Sequence, residues 1–153
     1  MRFVFILKKQ NITIMEFLKK YFLKTDTRFY YLSLIKEPHG WSIHGLWPQY
    51  NSKTYPSFCR NVDFSIDKLK PILDRLNTIW YSTQEPSPEF WKHEWEKHGS
   101  CMFTDMDELQ YFEKTIDLYK IAIEKNLPEK YRNGNKSLIP LDLDFNFIDK
   151  IEL

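Results

Sequence analysis

The chain has 153 residues, with 22 Lys and Arg against 21 Asp and Glu for a net charge of +1, and aromatic residues make up 17% of it. That length fits one domain with a core of its own. The near-neutral balance lacks the overall positive field of a nucleic-acid packaging protein, so an RNA partner would have to be held by a local site. The 12 Phe, 9 Tyr and 5 Trp serve either a heavy core or stacking surfaces for bases.

In chain order, the apolar run over residues 3–7 is shorter than the roughly 7–15 residues of a secretory core segment. No stretch approaches the ~20 apolar residues of a membrane span. No clear signal peptide and no membrane partner are therefore expected. Residues 1–24 read as an N-terminal extension, with a short amphipathic helix over 14–24; residues 25–153 read as one domain. Residues 29–35, aromatic and β-branched, read as a buried strand, and Pro38-His39-Gly40 as a turn. A second strand is expected over 41–44, ending at Gly45, with Gly45-Leu46-Trp47-Pro48 turning the chain into a polar loop. The periodicity of Ile66, Leu69, Leu73, Leu76 and Trp80 predicts a helix over 65–80 capped by Ser65. Pro86-Ser87-Pro88 reads as a linker, followed by a helix over 89–98 that Gly99 stops. The strongest helix spans 107–126, with Leu109, Phe112, Ile116, Tyr119 and Ile123 on one face. A turn at 132–136 leads to a last strand over 137–147. Helices and strands mix without regular βαβ alternation, so the class is α+β.

The chemistry concentrates in the histidines. All four lie in two short segments, His39 with His44 and His93 with His98. Imidazole titrates near neutrality, so two of them facing one phosphate can perform in-line transfer: one removes a proton from the attacking hydroxyl, the other protonates the leaving oxygen. His39 sits in the Pro-His-Gly turn and is given a structural reading. On a helix, Glu94, Lys97 and His98 share a face at spacings i, i+3 and i+4, with His93 beside them. Trp91 and Trp95 point into the core. Lys97 and a protonated His93 would stabilise the negative charge of a phosphorane. A zinc site of the His-Glu-x-x-His kind does not fit: His93 and His98 are five apart, about 140° around an ideal helix, and no metal or other cofactor is expected. His44 stands at a strand end, a rigid place for a catalytic side chain. Trp47 and Tyr55 have the rings to stack on a base. Cys59 and Cys101 are either free buried thiols or one disulfide closing about 40 residues.

Ile43-His44-Gly45-Leu46-Trp47-Pro48 and Trp91-Lys92-His93-Glu94-Trp95-Glu96-Lys97-His98-Gly99-Ser100-Cys101 resemble the two active-site segments of the ribonuclease T2 family, and Tyr55-Pro56-Ser57-Phe58-Cys59 falls between them in the family's order. The resemblance implies a central antiparallel sheet flanked by helices. It implies an endoribonuclease of the lyase type acting on single-stranded RNA, leaving 2',3'-cyclic phosphate and then 3'-phosphate ends, with no metal. By the same resemblance His98 takes the 2'-hydroxyl proton and His44 protonates the 5'-oxygen. His93 binds phosphate, Glu94 and Lys97 stabilise the intermediate, Trp47 and Tyr55 hold a base, and Cys59 pairs with Cys101. DNA, lacking the 2'-hydroxyl, is not expected to be cut. A monomer in an extracellular or endolysosomal compartment is implied.

The chain departs from the family's pattern in three places. Gln49 stands where relatives often carry Asp, at a position that helps set base preference. The stretch between the first strand and Trp41 is short. The final third is also short, so the domain reads as a shortened one. The alternative is a non-catalytic RNA- or protein-binding member of the same fold that has lost turnover through truncation.

Overall fold

The computed structural model describes residues 26–149, together with Ile14 and Glu16. The expected helix over 14–24 and the extension over 1–24 otherwise lie outside the described residues. The strands are β1 (Phe29–Glu37), β2 (Gly40–Gln49), β3 (Arg132–Asn133) and β4 (Lys136–Leu141). They form one antiparallel sheet in the order β2-β1-β4-β3. The helices are α1 (Leu73–Ile79), α2 (Ser87–Lys97), α3 (Glu108–Glu124) and α4 (Leu127–Lys130), with 3-10 segments at Ile66–Ile72 and Gly99–Cys101. The protein is α+β. None of the described helices is long and apolar enough to cross a membrane.

Alternation sorts β1 into two faces. Tyr30, Leu32 and Leu34 are fully buried and pack with Ile139, Leu141 and the helices in one hydrophobic cluster. Tyr31 and Ile35 face the other way, into a groove. In β2 the core residues are Ile43 and Leu46, three apart, which a regular strand cannot place on one face. The pairing explains it: Ser33 faces Gly45 but Leu34 faces Ile43, so His44 is an extra residue, a β-bulge. A bulge re-aims side chains, and this one leaves His44, Trp47 and Gln49 all lining the groove.

The expected end of this strand at Gly45 is therefore corrected. Gly45-Leu46-Trp47-Pro48 does not turn; the ladder with β1 continues to Phe29 opposite Gln49. Gly45 is needed because of a close approach. A Cβ there would collide with the Glu94 carboxylate and with Nε1 of Trp47. As an edge strand, β2 leaves carbonyls off the ladder, and core side chains reach them. Trp80 Nε1 donates to the His44 carbonyl at 3.0 Å, the Tyr111 hydroxyl to that of Leu46 at 2.9 Å and the Tyr119 hydroxyl to that of Trp41 at 2.7 Å.

Four further expectations change. The helix expected over 65–80 is a 3-10 segment followed by α1, with Pro71 inside the first and no side-chain cap from Ser65. Proline has no N–H and crowds the preceding turn, which breaks a continuous α-helix. Pro86-Ser87-Pro88 is not a linker, because α2 begins at Ser87 with proline in its first turn, where the missing N–H costs nothing. The helix α3 ends at Glu124 and is capped by an Asp107–Gln110 capping box, which satisfies two exposed N–H groups. Phe112 and Ile116 are buried and Leu109 and Tyr119 pack against the core as expected, but Ile123 is exposed and Tyr111, Thr115, Leu118 and Ala122 complete the buried face. The last strand stops at Leu141; Asp142 then caps a turn by accepting from the backbone of Asp144 and Asn146, and only an isolated bridge joins Leu141 to Phe147.

Candidate active site

Two elements build the site. Helix α2 buries Trp91 and Trp95, whose indoles donate to the carbonyls of Trp80 and Asp63 at 2.6 and 3.0 Å. That fixes the rotation of the helix and turns His93, Glu94, Lys97 and His98 toward the groove. Gly99 permits the helix to end against Trp95, because a Cβ there would run into the indole ring. Strand β2 supplies His44, Trp47 and Gln49 from the opposite side. The groove encloses about 850 Å³.

Glu94 is the centre of the arrangement and is buried, with 2% of its side chain exposed. Its Oε1 lies 3.4 Å from His44 Nε2, and its Oε2 lies 3.9 Å from His98 Nε2. Trp47 Nε1 donates to Oε2 at 2.9 Å. The indole ring stands edge-on to His44 at 4.9 Å and stacks on His98 at 5.0 Å. Tyr55 lies 6.3 Å from the His98 ring and Lys97 Nζ lies 5.8 Å over the Tyr55 ring. His93 is exposed, with Phe58 edge-on to it at 6.1 Å. Gln49 is buried on the groove wall.

His98 is only 5% exposed. Burial pushes its imidazole down from 6.5 to about 4; the nearby cations Lys97, His44 and His93 act in the same direction, and the Glu94 carboxylate opposes them. Desolvation wins because the charged ring cannot recover its hydration from a single carboxylate 3.9 Å away. His98 is thus neutral through the mildly acidic range, ready to accept a proton.

A stability consequence follows with a definite sign. In the unfolded chain this histidine charges near 6.5, while in the folded chain it charges near 4. The unfolded state therefore takes up the proton first, and stability present above 6.5 is lost as the pH falls toward 4. The loss attributable to His98 approaches about 3 kcal/mol. Urea denaturation of the parent and of His98→Gln at pH 7 and pH 4 should show the parent losing more by that amount. Equal losses in the two proteins would refute the burial effect.

The loop between β2 and the 3-10 segment Ile66–Ile72 is tied to the end of α2. A disulfide joins Cys59 to Cys101. Phe58 N–H donates to the Lys97 carbonyl at 2.9 Å, Cys59 N–H to Ser100 Oγ at 3.0 Å and Arg60 Nε to the Ser100 carbonyl at 3.1 Å. Tyr55 is held beside His98 by this loop. Among the described residues no group of three His, Cys, Asp or Glu side chains is placed to hold a metal ion.

All of the expected acid–base and charged residues line one groove, and the two cysteines sit at its outer support. Other lining residues were not anticipated from the sequence, among them Phe90, which lies 5.5 Å from the His44 ring, and Tyr31 and Ile35, which line the groove from β1. Alternation in residues 29–35 carried the signal for the last two, since only every second residue can enter the core.

Comparison with known proteins identifies the family and the fold. The family model of the Ribonuclease T2 family matches residues 9–130. Ribonuclease DdI of Dictyostelium discoideum is 41% identical over 113 residues, covering 71% of this chain and 51% of the relative. Ribonuclease T2 of Sus scrofa is 40% identical over 99 residues, covering 59% of this chain and 47% of the relative. The chain spans about half the length of the curated relatives it matches. Among solved structures, RNase NT in complex with 5'-AMP superposes with a TM-score of 0.63 at 22% identity, covering 84% of this chain and 93% of that one. Ribonuclease MC1 from the seeds of bitter gourd gives 0.62 at 21%, covering 78% and 91%. At those identities the likeness concerns the fold, which is the same in all three. With the family model spanning most of the sequence, including both histidine segments, the chain belongs to the ribonuclease T2 family.

Proposed function

We propose that this chain is an endoribonuclease that cleaves single-stranded RNA by metal-independent transesterification. Neutral His98 removes the proton from a 2'-hydroxyl. The oxygen attacks the adjacent phosphorus, and the bond from phosphorus to the 5'-oxygen breaks. Protonated His44 supplies the proton to that leaving oxygen. The product is a 2',3'-cyclic phosphate, which water opens to a 3'-phosphate with the two histidines in exchanged roles. Lys97 and His93 stabilise the charge on the non-bridging oxygens, and Glu94 aligns both imidazoles. Tyr55, Trp47 and Gln49 form the wall against which a base rests. DNA is not cut, because it lacks the attacking hydroxyl. The protein acts as a monomer in an extracellular or endolysosomal compartment; the Cys59–Cys101 bond suits an oxidising one.

The observation that supports this reading is the single buried carboxylate of Glu94 meeting His44 with one oxygen and His98 with the other, inside an open groove. The deciding experiment incubates the protein with single-stranded RNA at pH 4 to 8 and examines the ends. Cyclic-phosphate termini, produced equally in EDTA, are the expected result. Cleavage abolished by EDTA and restored by zinc would overturn the metal-free mechanism. Binding without cleavage at every pH would select the non-catalytic alternative.

A further inference from the structure

Trp47 makes the closest described polar contact to the central carboxylate. Its Nε1 donates to Glu94 Oε2 at 2.9 Å, the same oxygen that lies 3.9 Å from His98 Nε2. Its ring covers His98 nearly parallel, at an interplanar angle of 24°, and meets His44 edge-on at 76°. His98 Nδ1 is buried and has no hydrogen-bond partner among the described residues, so no bond on that side sets the orientation of the ring. The backbone is shaped around this contact: Gly45 has no Cβ where Glu94 Oε2 and Trp47 Nε1 come together.

We propose that Trp47, beside its contact with the base, is a positioning residue of the acid–base pair, holding the Glu94 carboxylate on His44 and away from a close ion pair with His98. An indole N–H donating to one carboxylate oxygen fixes the plane of the carboxylate, leaving Oε1 for His44 at 3.4 Å. The stacked ring fixes the plane of His98. Without the N–H, Oε2 is free to close on His98 and to favour its charged form. The groups facing this contact are His93, Lys97 and His98 from α2, His44 from β2 and the Tyr111 hydroxyl from α3. The last is kept protonated by burial, with the Glu94 charge adding to the effect. The kinetic part rests on the ribonuclease reading above; the spectroscopic part does not.

The test is Trp47→Phe, which keeps a ring over His98 and removes the donor. kcat on RNA should fall about tenfold, the scale of one hydrogen bond to a charged group, while KM stays within about twofold. The NMR titration midpoint of His98 should move to higher pH, and the acid limb of kcat with it. In a Glu94→Gln background the same substitution should cost less than about twofold more, because the two residues act through one contact. A raised KM with unchanged kcat would identify a base platform and overturn the proposal, as would fully additive losses. If the parent does not cleave RNA, the ribonuclease reading fails and the NMR arm alone decides: an unmoved His98 midpoint in Trp47→Phe overturns the positioning role. If Trp47→Phe does not fold, the indole N–H resonance of Trp47 in the otherwise native chain is compared with that in Glu94→Gln. A clear shift supports the contact, and an unmoved resonance overturns it.

Discussion

Replacing His98 with alanine is expected to lower the rate of RNA cleavage by about 10²–10⁴-fold, the usual cost of removing a general base or acid. The reason lies in the protonation states the site imposes. Burial keeps His98 neutral down to about pH 4, so it has a free lone pair in the mildly acidic range. His44 is more open, with 32% of its side chain exposed, and faces Glu94 Oε1 at 3.4 Å. In the proposed mechanism one imidazole receives a proton and the other gives one. His44→Ala should therefore cost a comparable factor, and the double variant little more than either, because the pair acts as a unit. The rate should fall on the acid side as His98 becomes charged near pH 4. The check is kcat/KM on a defined oligonucleotide across the pH range. An alanine variant as fast as the parent would remove the mechanism.

Reduction of the Cys59–Cys101 bond, or its removal as Cys59→Ser with Cys101→Ser, is expected to destabilise the fold by about 4 kcal/mol in the chain-entropy picture for a closed segment of 42 residues. For a domain of this size that is a large share of the total stability, which is typically ~5–15 kcal/mol. The closed segment, residues 59–101, contains the 3-10 segment at Ile66–Ile72, α1 and α2, and Tyr55 lies just before it. Part of the attachment survives without the bond, since Phe58, Cys59 and Arg60 also hydrogen-bond to the end of α2. Urea titration with and without reductant measures the effect. An unchanged midpoint would show that those hydrogen bonds alone hold the segment.

Parts of the residue clustering and parts of the fold were legible in the sequence, for different physical reasons. Glu94, Lys97 and His98 were readable as a cluster because helical spacing puts them on one side, with the buried Glu94 and His98 next to Trp91 and Trp95 and the more open His93 and Lys97 farther round. The role of His44 was harder to place. A strand end was expected there, since Gly45 and Pro48 are the usual signs of a turn. Here the glycine answers a crowding problem with Glu94, and the proline lies opposite Tyr30 within the ladder. Helical periodicity over residues 65–80 was real, but Pro71 divides it, and tertiary packing of Leu69, Ile72 and Leu76 accepts the 3-10 form. The bond between Trp47 and Glu94 joins residues 47 positions apart, and no local pattern encodes it. The four-residue helix α4 (Leu127–Lys130) and the short β3 have too few residues to show any period.

The extra residue at His44 puts the two halves of β2 out of phase with each other. Upstream, Ile43 points inward; downstream, Leu46 does, and Trp47 and Gln49 are thereby outside. Straightening the strand with every residue kept would exchange the two sets, driving an indole and a carboxamide into oil while exposing leucine to water, whereas deleting His44 would keep Ile43 and Leu46 inward but take the imidazole out of the groove. The count between residues 43 and 46 is therefore tied to the site. An alignment of relatives should show gaps almost anywhere before one appears in that stretch.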